Sequence, residues 1–275
     1  MIFVGDFIDR GPKQLETLDL VRHMLDAGSA QAVMGNHELN AIAYATERGG
    51  KPGSYLREHS TKNQGQHARF LAAVGEGSPL HTELVGCFKS LPLWLDLDGL
   101  RVVHACWDES LRAQLSGYCT EGNRLSDAAL QLAHTKANDV HRAVEVLLKG
   151  VEIDLPPGLV FRDKEGSVRN CARLKWWDAD AKTYHDALLT DEAAQSQLPN
   201  TAMPAHELRH YLDPKPVFFG YYWLDGTPQL TAANAVCLDF SVAKNGYLTA
   251  YSFDGEAIPD AAKLTWVWPG NEAER

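Results

Sequence analysis

The sequence predicts an α/β fold, a layered β-sandwich flanked by helices, and three observations support this. Two short apolar runs, residues 1–4 and 31–34, each lead into a glycine and a polar side chain, as buried parallel strands do. The segment between them has helical periodicity, and strand, helix and strand in succession form a right-handed βαβ unit. Further apolar runs at residues 93–105, 216–221 and 235–253 supply additional strands.

The first helix has recognisable ends. Pro12 stands at its start and Gly28 at its end, which are the positions that these residue types prefer. The apolar side chains in between recur every three or four residues and share one face, namely Leu15, Leu18, Val21 and Leu25. The spacing therefore predicts an amphipathic helix that connects the first two strands.

The rest of the chain alternates helical and extended patterns. Residues 40–90 are helical but polar, and we interpret them as a helical insertion that contributes to a lid or cap. Two hairpins are predicted, one turning at Asp98-Gly99 and one at Asn245-Gly246. Because no repeat and no Pro/Gly/Ser-rich linker interrupts the 275 residues, we expect a single domain, residues 1–275.

Composition narrows the function classes. The formal net charge is −10, and the Lys and Arg residues are scattered, which argues against duplex nucleic acid as a partner. No apolar run approaches the roughly 18 residues of a membrane span, so no membrane association is expected. Five cysteines without a CxxC pair favour reduced thiols, and hence a cytoplasmic protein.

Two motifs follow the first two predicted strands. Segment 5–11 reads GDFIDRG and segment 35–38 reads GNHE, and ligands of parallel sheets sit beyond the carboxyl ends of strands. Asp6 could bridge two metal ions about 3.5 to 4 Å apart, as in binuclear hydrolytic sites. Asn36 offers a neutral oxygen, and His104 offers an imidazole nitrogen from another strand end. We expect these three side chains to share one ion, and such O and N donors suit manganese, iron, zinc or nickel.

The same motifs contain candidates for acid catalysis and phosphate binding. His37 is placed to protonate a leaving-group oxygen, with Asp9 or Glu38 as the carboxylate that orients its ring. Arg10 presents a planar fork for two phosphate oxygens. Arg173 is a weaker second candidate for phosphate binding.

These side chains also have structural interpretations. Asp6 and Asp9 could offset a helix dipole, and His104 alone could be a hydrogen-bonded core histidine. Two motifs on successive strand ends favour the functional interpretation for these three residues. The structural interpretation is favoured for four other residues taken singly: Arg173, His67, Lys62 and His23.

The motifs resemble the GDxxDRG and GNHE blocks of the calcineurin-like metallophosphoesterase superfamily. The similarity is to the branch with protein serine/threonine phosphatases and bacterial diadenosine tetraphosphatases. His104-Ala105 is similar to its later histidine block, and Gly220-Tyr221 stands where a Gly-His block is expected. The resemblance covers most of the chain and implies a metallophosphatase-like fold, two divalent metal ions and a phosphatase-type hydrolase.

Two departures from the family pattern affect the expected activity. Family members carry an upstream strand ending in Asp-x-His-Gly, and nothing precedes Met1, so we expect the first strand and half of one metal site to be missing. An uncovered strand edge at Met1 predicts pairing with a second copy of the chain. Tyr221 replaces a histidine, and a phenol is a poor ligand for divalent ions at neutral pH, although it could bind ferric iron. We therefore expect one weakly bound ion or none.

Two hypotheses for the function follow. The first is hydrolysis of phosphomonoester or phosphoanhydride bonds by a metal-activated water, with a small phosphorylated substrate or a phosphoprotein and with impaired activity in this chain. The alternative is a catalytically silent phosphate-binding or scaffolding homologue, which Tyr221 favours. Retention of the motif residues in one chain favours the enzyme.

Overall fold

The computed structural model describes residues 1–163 and 166–270. Within these ranges the α-helices are α1 (Gln14–Asp26), α2 (Asn36–Ala45), α3 (Thr61–Val74), α4 (Pro79–Lys89), α5 (Glu109–Ser116), α6 (Asp127–Ala133), α7 (Asp139–Lys149), α8 (Tyr184–Ala187) and α9 (Glu192–Gln195). The strands are β1 (Ile2–Phe3), β2 (Gln31–Ala32), β3 (Trp94–Asp96), β4 (Arg101–Val103), β5 (Cys119–Thr120), β6 (Arg124–Leu125), β7 (Glu152–Asp154), β8 (Phe161–Arg162), β9 (Val168–Arg169), β10 (Cys171–Leu174), β11 (Leu188–Leu189), β12 (Val217–Phe219), β13 (Ala235–Cys237), β14 (Asp239–Phe240), β15 (Tyr247–Tyr251) and β16 (Leu264–Val267).

The predicted βαβ unit is present at the N-terminus. Strands β1 and β2 are parallel, with Ile2 opposite Gln31, and α1 connects them. Helix α1 buries Leu18 and Val21, because these side chains lie on the apolar stripe that the sequence predicts. The βαβ unit brings the ends of β1 and β2, and the motifs that follow them, to the same edge.

A four-stranded sheet forms the centre of the molecule, in the order β13-β12-β4-β3. Strand β12 is parallel to both β13 and β4, whereas β3 and β4 form the hairpin predicted at Asp98-Gly99. Gly220 N, just after β12, donates to His104 O, just after β4, at 2.8 Å. The two strand ends are therefore adjacent.

Segment 235–240 differs from its prediction. We expected it to form one strand of a hairpin with residues 247–253, but it divides into β13, which joins the central sheet, and β14, which pairs with β15. The turn at Asn245 is left-handed, with φ at 61°, as an Asn-Gly turn favours. The chain changes sheet between Cys237 and Asp239, a step that local alternation of apolar residues does not reveal.

The central sheet packs on both faces, which confirms the sandwich. Val102, Phe218 and Val236 point to one face, where Tyr251 and Leu264 of the β14-β15-β16 sheet cover them. Neighbouring residues of the same three strands point the other way, into the core that contains the helices, namely Val103, Val217, Phe219, Ala235 and Cys237. This alternation follows from the two-residue period of a strand.

Two further findings concern the length of the helices and the state of the cysteines. Within residues 1–163 and 166–270, none of the helices combines the length and the apolar character that crossing a bilayer requires. All five cysteines lie in these ranges and are free thiols.

Candidate metal and phosphate site

Gly5 and Gly35 allow the two motifs to approach each other closely. Gly5 has a φ of 94°, and a Cβ on it would lie 2.6 Å from Gly35 N and 2.9 Å from His104 Nδ1. A Cβ on Gly35 would collide with Asp6 Oδ1. Because only glycine has no Cβ, these two positions require it, and the backbones can then meet at the sheet edge.

The GNHE block forms the N-cap and the first turn of helix α2. Helix α2 begins at Asn36, and its N-terminal N–H groups lack partners within the helix. Glu38 is fully buried, and its two carboxylate oxygens accept from the backbone N–H groups of Asp6 at 2.9 Å, Phe7 at 2.8 Å and Gly35 at 2.9 Å. Glu38 therefore joins the two motifs and does not orient His37, for which it was one of two candidates.

Asp6, Asn36 and His104 converge as predicted and are called the ligand cluster here. His104 Nε2 lies 3.2 Å from Asn36 Oδ1 and 3.4 Å from Asp6 Oδ1. The other ring nitrogen of His104 lies 2.6 Å from Val4 O, a carbonyl oxygen that only accepts, so Nδ1 carries the proton. Nε2 then faces two oxygen atoms.

The electrostatics of the ligand cluster suit a cation. Burial disfavours the charged ring of His104, yet Asp6 outweighs it and raises the pKa of His104 to about 9. Burial also disfavours the Asp6 carboxylate, but the charges of His104 and His37 hold the pKa of Asp6 well below its usual value. The acceptor atoms of Asp6, Asn36 and His104 face one another, so positive charge between them is favourable. A proton provides such charge, and a divalent ion would provide it too.

Asp6, Asn36 and His104 offer an O, O and N donor set of the kind that a single divalent ion accepts. In the described part of the chain, no group of three His, Cys, Asp or Glu side chains is arranged to hold a metal, so this set depends on the Asn36 oxygen.

Asp9, His37 and His67 form a second group, called the acid cluster here. His37 Nδ1 lies 2.8 Å from Asp9 Oδ2, and His67 Nδ1 lies 2.8 Å from Asp9 Oδ1. Burial opposes a charged His37, but Asp6 and Asp9 raise its pKa above the ordinary value. Since Nδ1 donates to a carboxylate, Nε2 of His37 is the nitrogen left to serve a substrate.

The acid cluster adjoins the ligand cluster. His37 N donates to Asp6 Oδ1 at 3.2 Å, so the backbone of the candidate acid touches the candidate metal ligand. The sequence analysis had favoured a structural interpretation for His67, and its contact with Asp9 was missed. No local signal could have revealed it, because 58 residues separate the two positions.

A loop after β12 approaches the motifs from the C-terminal half. The Arg10 guanidinium lies 4.8 Å from the centre of the Trp223 ring, and Arg173 lies 4.1 Å from the centre of the Tyr221 ring. Arg173 also donates to Tyr221 O at 3.2 Å. Both phosphate-binding candidates are thus held by one loop, which the sequence analysis did not anticipate.

Asp239 maintains the shape of this loop. Tyr221 and Trp223 have positive φ angles of 71° and 50°, which L-residues seldom adopt. The buried Asp239 carboxylate accepts from Trp223 N at 3.0 Å and from Ser241 N at 3.1 Å. The sequence analysis did not single out Asp239, whose role depends on the loop conformation.

Tyr221 is poorly suited to bind a metal in this arrangement. Its ring centre lies 5.6 Å from that of His104, at 64° between the planes. Burial raises the pKa of Tyr221 to about 12, although Arg173 opposes that shift. A phenol held neutral is a weak ligand for a divalent ion.

The other candidate residues lie outside the clusters. Lys62 is exposed on α3, and His23 is exposed on α1, where Nδ1 contacts Asp19 O at 2.6 Å. A cavity of about 460 Å³ is lined by Arg101, Trp107 and Tyr211 among others and contains none of the predicted site residues.

A family model for calcineurin-like phosphoesterases matches residues 1–155, which is more than half of the chain. The chain belongs to the calcineurin-like phosphoesterase family. The predicted superfamily and metallophosphatase fold are therefore confirmed, as is the phosphatase-type hydrolase class at the level of the family. Both motifs and His104 fall inside the matched region.

Relatives described as symmetrical bis(5'-nucleosyl)-tetraphosphatases align with parts of this chain. One from Aromatoleum aromaticum is 38% identical over 104 residues, which is 37% of this chain and 32% of that protein. One from Vibrio cholerae is 34% identical over 105 residues, 34% of each chain. One from Methylobacillus flagellatus is 25% identical over 193 residues, 64% of each chain. The chain thus spans about a third of the length of the first two relatives.

Among solved structures, one titled provisionally as a diadenosine tetraphosphatase has a TM-score of 0.41 to this chain. The sequences are 15% identical, and the match covers 98% of this chain and 81% of that chain.

Proposed function

We propose that this chain hydrolyses a phosphoester or phosphoanhydride bond with the help of a divalent metal ion. The observation that carries the proposal is the contact between the two clusters, where His37 N donates to Asp6 Oδ1 at 3.2 Å and His37 Nδ1 contacts Asp9. A buried acid beside a set of metal ligands is the arrangement that protonation of a leaving group requires.

Asp6, Asn36 and His104 would hold the ion, which when bound acidifies water and polarises phosphoryl oxygens. The bond from His104 Nδ1 to Val4 O keeps Nε2 directed at the site. The metal is manganese, iron, zinc or nickel, since all accept this donor set. The family pattern uses two ions, and the residues described here fit one.

His37 would supply the proton. Its raised pKa keeps the ring charged nearer to neutral pH, and Asp9 holds Nδ1 so that Nε2 can donate to the leaving oxygen. Arg10 would bind phosphate oxygens from its position beside Trp223, with Arg173 of β10, which contacts Tyr221 of the same loop, as a second cation. Tyr221 as a fourth ligand would bind ferric iron only.

The proposed substrate class is the dinucleoside polyphosphates, because relatives matched over the motif region are described as symmetrical tetraphosphatases. Small phosphomonoesters also present a phosphoryl group to the site, and a phosphoprotein is the larger alternative. The charge of −10 still argues against duplex nucleic acid. A cytoplasmic location and pairing with a second copy of the chain remain predictions.

The test is hydrolysis of diadenosine tetraphosphate by the purified chain with added manganese, with products separated by ion exchange. Symmetrical cleavage yields ADP alone, and asymmetrical cleavage yields ATP and AMP. Elemental analysis of the same sample gives the number of ions per chain. Activity that is lost in His37→Ala supports the proposal, whereas equal rates for the two proteins would contradict it.

A second candidate is a phosphate-binding homologue without catalysis. Tyr221 supports this candidate, because its partly buried phenol, whose pKa is raised to about 12, lies where the family places a histidine ligand. Binding of inorganic phosphate without turnover of any substrate would favour it. Metal-dependent turnover would exclude it.

A further inference from the structure

Both oxygens of the Asp9 carboxylate are occupied by histidine rings. His37 contacts Oδ2 and His67 contacts Oδ1, each at 2.8 Å. The side chains of Asp9 and His67 are each only 4% exposed. The contacts are therefore shielded from water. In such surroundings a charged acceptor forms stronger hydrogen bonds than it does in water.

The His67 ring has one polar contact. An ionised carboxylate only accepts, so His67 Nδ1 donates to Asp9. The Nε2 atom of His67 is buried and has no hydrogen-bond partner among the described residues. Burying a polar atom without a partner costs free energy, so packing alone would favour an apolar side chain at this position.

The conformation of Asp9 depends on hydrogen bonds from other residues. Its backbone has a φ of 77°, and its N–H donates to Gln14 Oε1 at 2.9 Å. A carboxylate held through one oxygen can rotate about its Cβ–Cγ bond, whereas hydrogen bonds to both oxygens restrict its plane. His67, on helix α3, supplies the second of these bonds from a rigid element.

We propose that His67 is a positioning residue, which fixes the Asp9 carboxylate so that His37 Nε2 is directed at the leaving group. The inference rests on the proposed function, because it concerns the same acid. It assigns to α3, within the polar segment 40–90, a part in acid catalysis in addition to covering the site. His67 does not touch the substrate in this account and acts through Asp9.

His81 offers a matched control in the same core. It is also buried, and its ring centre lies 5.8 Å from that of Phe70, compared with 5.0 Å for His67. Its Nδ1 accepts from Gly77 N at 3.1 Å, whereas the hydrogen bonds to the Asp9 carboxylate come from His37 and His67. His81→Leu therefore changes packing in this core and removes neither of these two hydrogen bonds.

The first measurement compares leaving groups. Nitrophenolate departs readily without a proton, whereas phenolate needs one, so a misdirected acid slows phenyl phosphate more than p-nitrophenyl phosphate. We expect His67→Leu to lower kcat for phenyl phosphate by about tenfold to a hundredfold, as for other small misplacements of reacting groups. The loss for p-nitrophenyl phosphate should be several times smaller, and KM should change little for either substrate.

Rescue separates positioning from packing. His67→Asn keeps a donor near the place of Nδ1, so it should recover most of the rate, and His81→Leu should retain it. Thermal unfolding midpoints of all variants identify any that do not fold. Equal losses in His67→Leu and His81→Leu, or a loss in His67→Leu that is the same for both substrates, would overturn the proposal.

The second measurement does not depend on activity. In the metal-free full chain with labelled histidine, the His37 Nδ1 proton resonance should shift in His67→Leu and stay near its original position in His67→Asn and His81→Leu. An unchanged resonance in His67→Leu would refute the positioning role. If this shift occurs but the unmodified chain hydrolyses neither phosphate ester, the proposed function fails while the contact between His67 and Asp9 stands.

Discussion

The ligand cluster and the acid cluster lie side by side, yet they are assembled in different ways. Each residue of the ligand cluster lies just beyond the carboxyl end of a strand. Asp6 follows β1, His104 follows β4, and Asn36 begins α2 after β2. The acid cluster instead takes His67 from the middle of helix α3, which no strand end positions. The first cluster depends on sheet geometry, whereas the second depends also on how an inserted helix packs.

The difference predicts different responses to mutation. Loss of a ligand should affect metal content and activity together, because charge on the reacting group is stabilised there. Loss of an acid-cluster residue should leave metal content intact and affect only the steps that need a proton. Elemental analysis and kinetics on the same samples separate the two cases.

The largest effect is expected for Asp6→Asn. The neutral amide removes the negative charge that the buried His104 faces, so the ion should be lost and kcat should fall by about a thousandfold or more. Metal content by elemental analysis and hydrolysis of p-nitrophenyl phosphate measure this. Asp19→Asn, at an exposed position of α1, is the control. Retained metal with full activity would remove Asp6 from the ligand cluster.

His37→Ala should lower kcat by about a hundredfold to ten thousandfold for substrates that need a protonated leaving group. Metal content should equal that of the unmodified chain, since His37 makes its hydrogen bond to Asp6 through the backbone N–H, which alanine keeps. The exposed His23→Ala is the matched control. A variant that loses the ion as well would show that the two clusters are not separable.

Glu38→Gln tests the carboxylate that joins the two motifs. Its oxygens accept three backbone N–H groups, and an amide would direct its own N–H groups at some of them. We expect the free energy of unfolding to fall by about 2 to 3 kcal/mol, the cost of leaving buried polar groups unpaired. Urea denaturation measures this, with the exposed Glu16→Gln as control. A change below the error of the control would contradict the structural role.

The effect of pH on stability is expected to be smaller than the effects above. It tests the titrating groups of the acid cluster, Asp9 and His37. Burial disfavours the Asp9 carboxylate, but His37 and His67 lower its pKa below the ordinary 3.8. The stabilisation is therefore present above pH 3.8 and lost as the pH falls through the lower folded value. His37 has the opposite sign, because its raised pKa adds stability that is present below pH 6.5 and lost as the pH rises through the folded value.

Asp9→Asn should accordingly destabilise the metal-free chain most between these limits, by about 1 to 3 kcal/mol. The difference from the unmodified chain should narrow below pH 3.8 and also above pH 6.5. Urea denaturation across this range tests it, and Asp19→Asn should show no such profile. A difference that does not vary with pH would indicate that Asp9 is not charged in the folded protein.

Much of the fold and of the ligand cluster could be predicted because both depend on local pattern. The run from Met1 to Val4, the amphipathic stripe of α1 and the glycines at 5 and 35 specify a βαβ unit with two motifs at one edge. Parallel strand ends meet at that edge whatever else the chain does. The convergence of Asp6 and Asn36 with His104 was foreseeable for this reason.

Other features could not be predicted, and particular residues show why. Three such features depend on segments that are distant in sequence. They are the switch of the chain from β13 to β14, the positive φ angles of Tyr221 and Trp223, and the contact of Arg10 with Trp223. Nothing in the local composition specifies such partners, because many buried positions would accept the same side chains. Glu38 shows the same limit at short range, since its backbone partners follow from the close approach of two glycines.

The sequence by itself determined the family, the βαβ unit and the three side chains at the sheet edge, since strand periodicity and Gly-Asp turns are local and their geometric consequence is general. Only the tertiary structure decided that α2 begins at Asn36, that Glu38 binds backbone, and that His67 reaches Asp9. The last of these depends on how helix α3 packs against the motif, because His67 is 58 residues from Asp9 in sequence. Such packing is selected by the summed fit of the whole core, and no single segment encodes it.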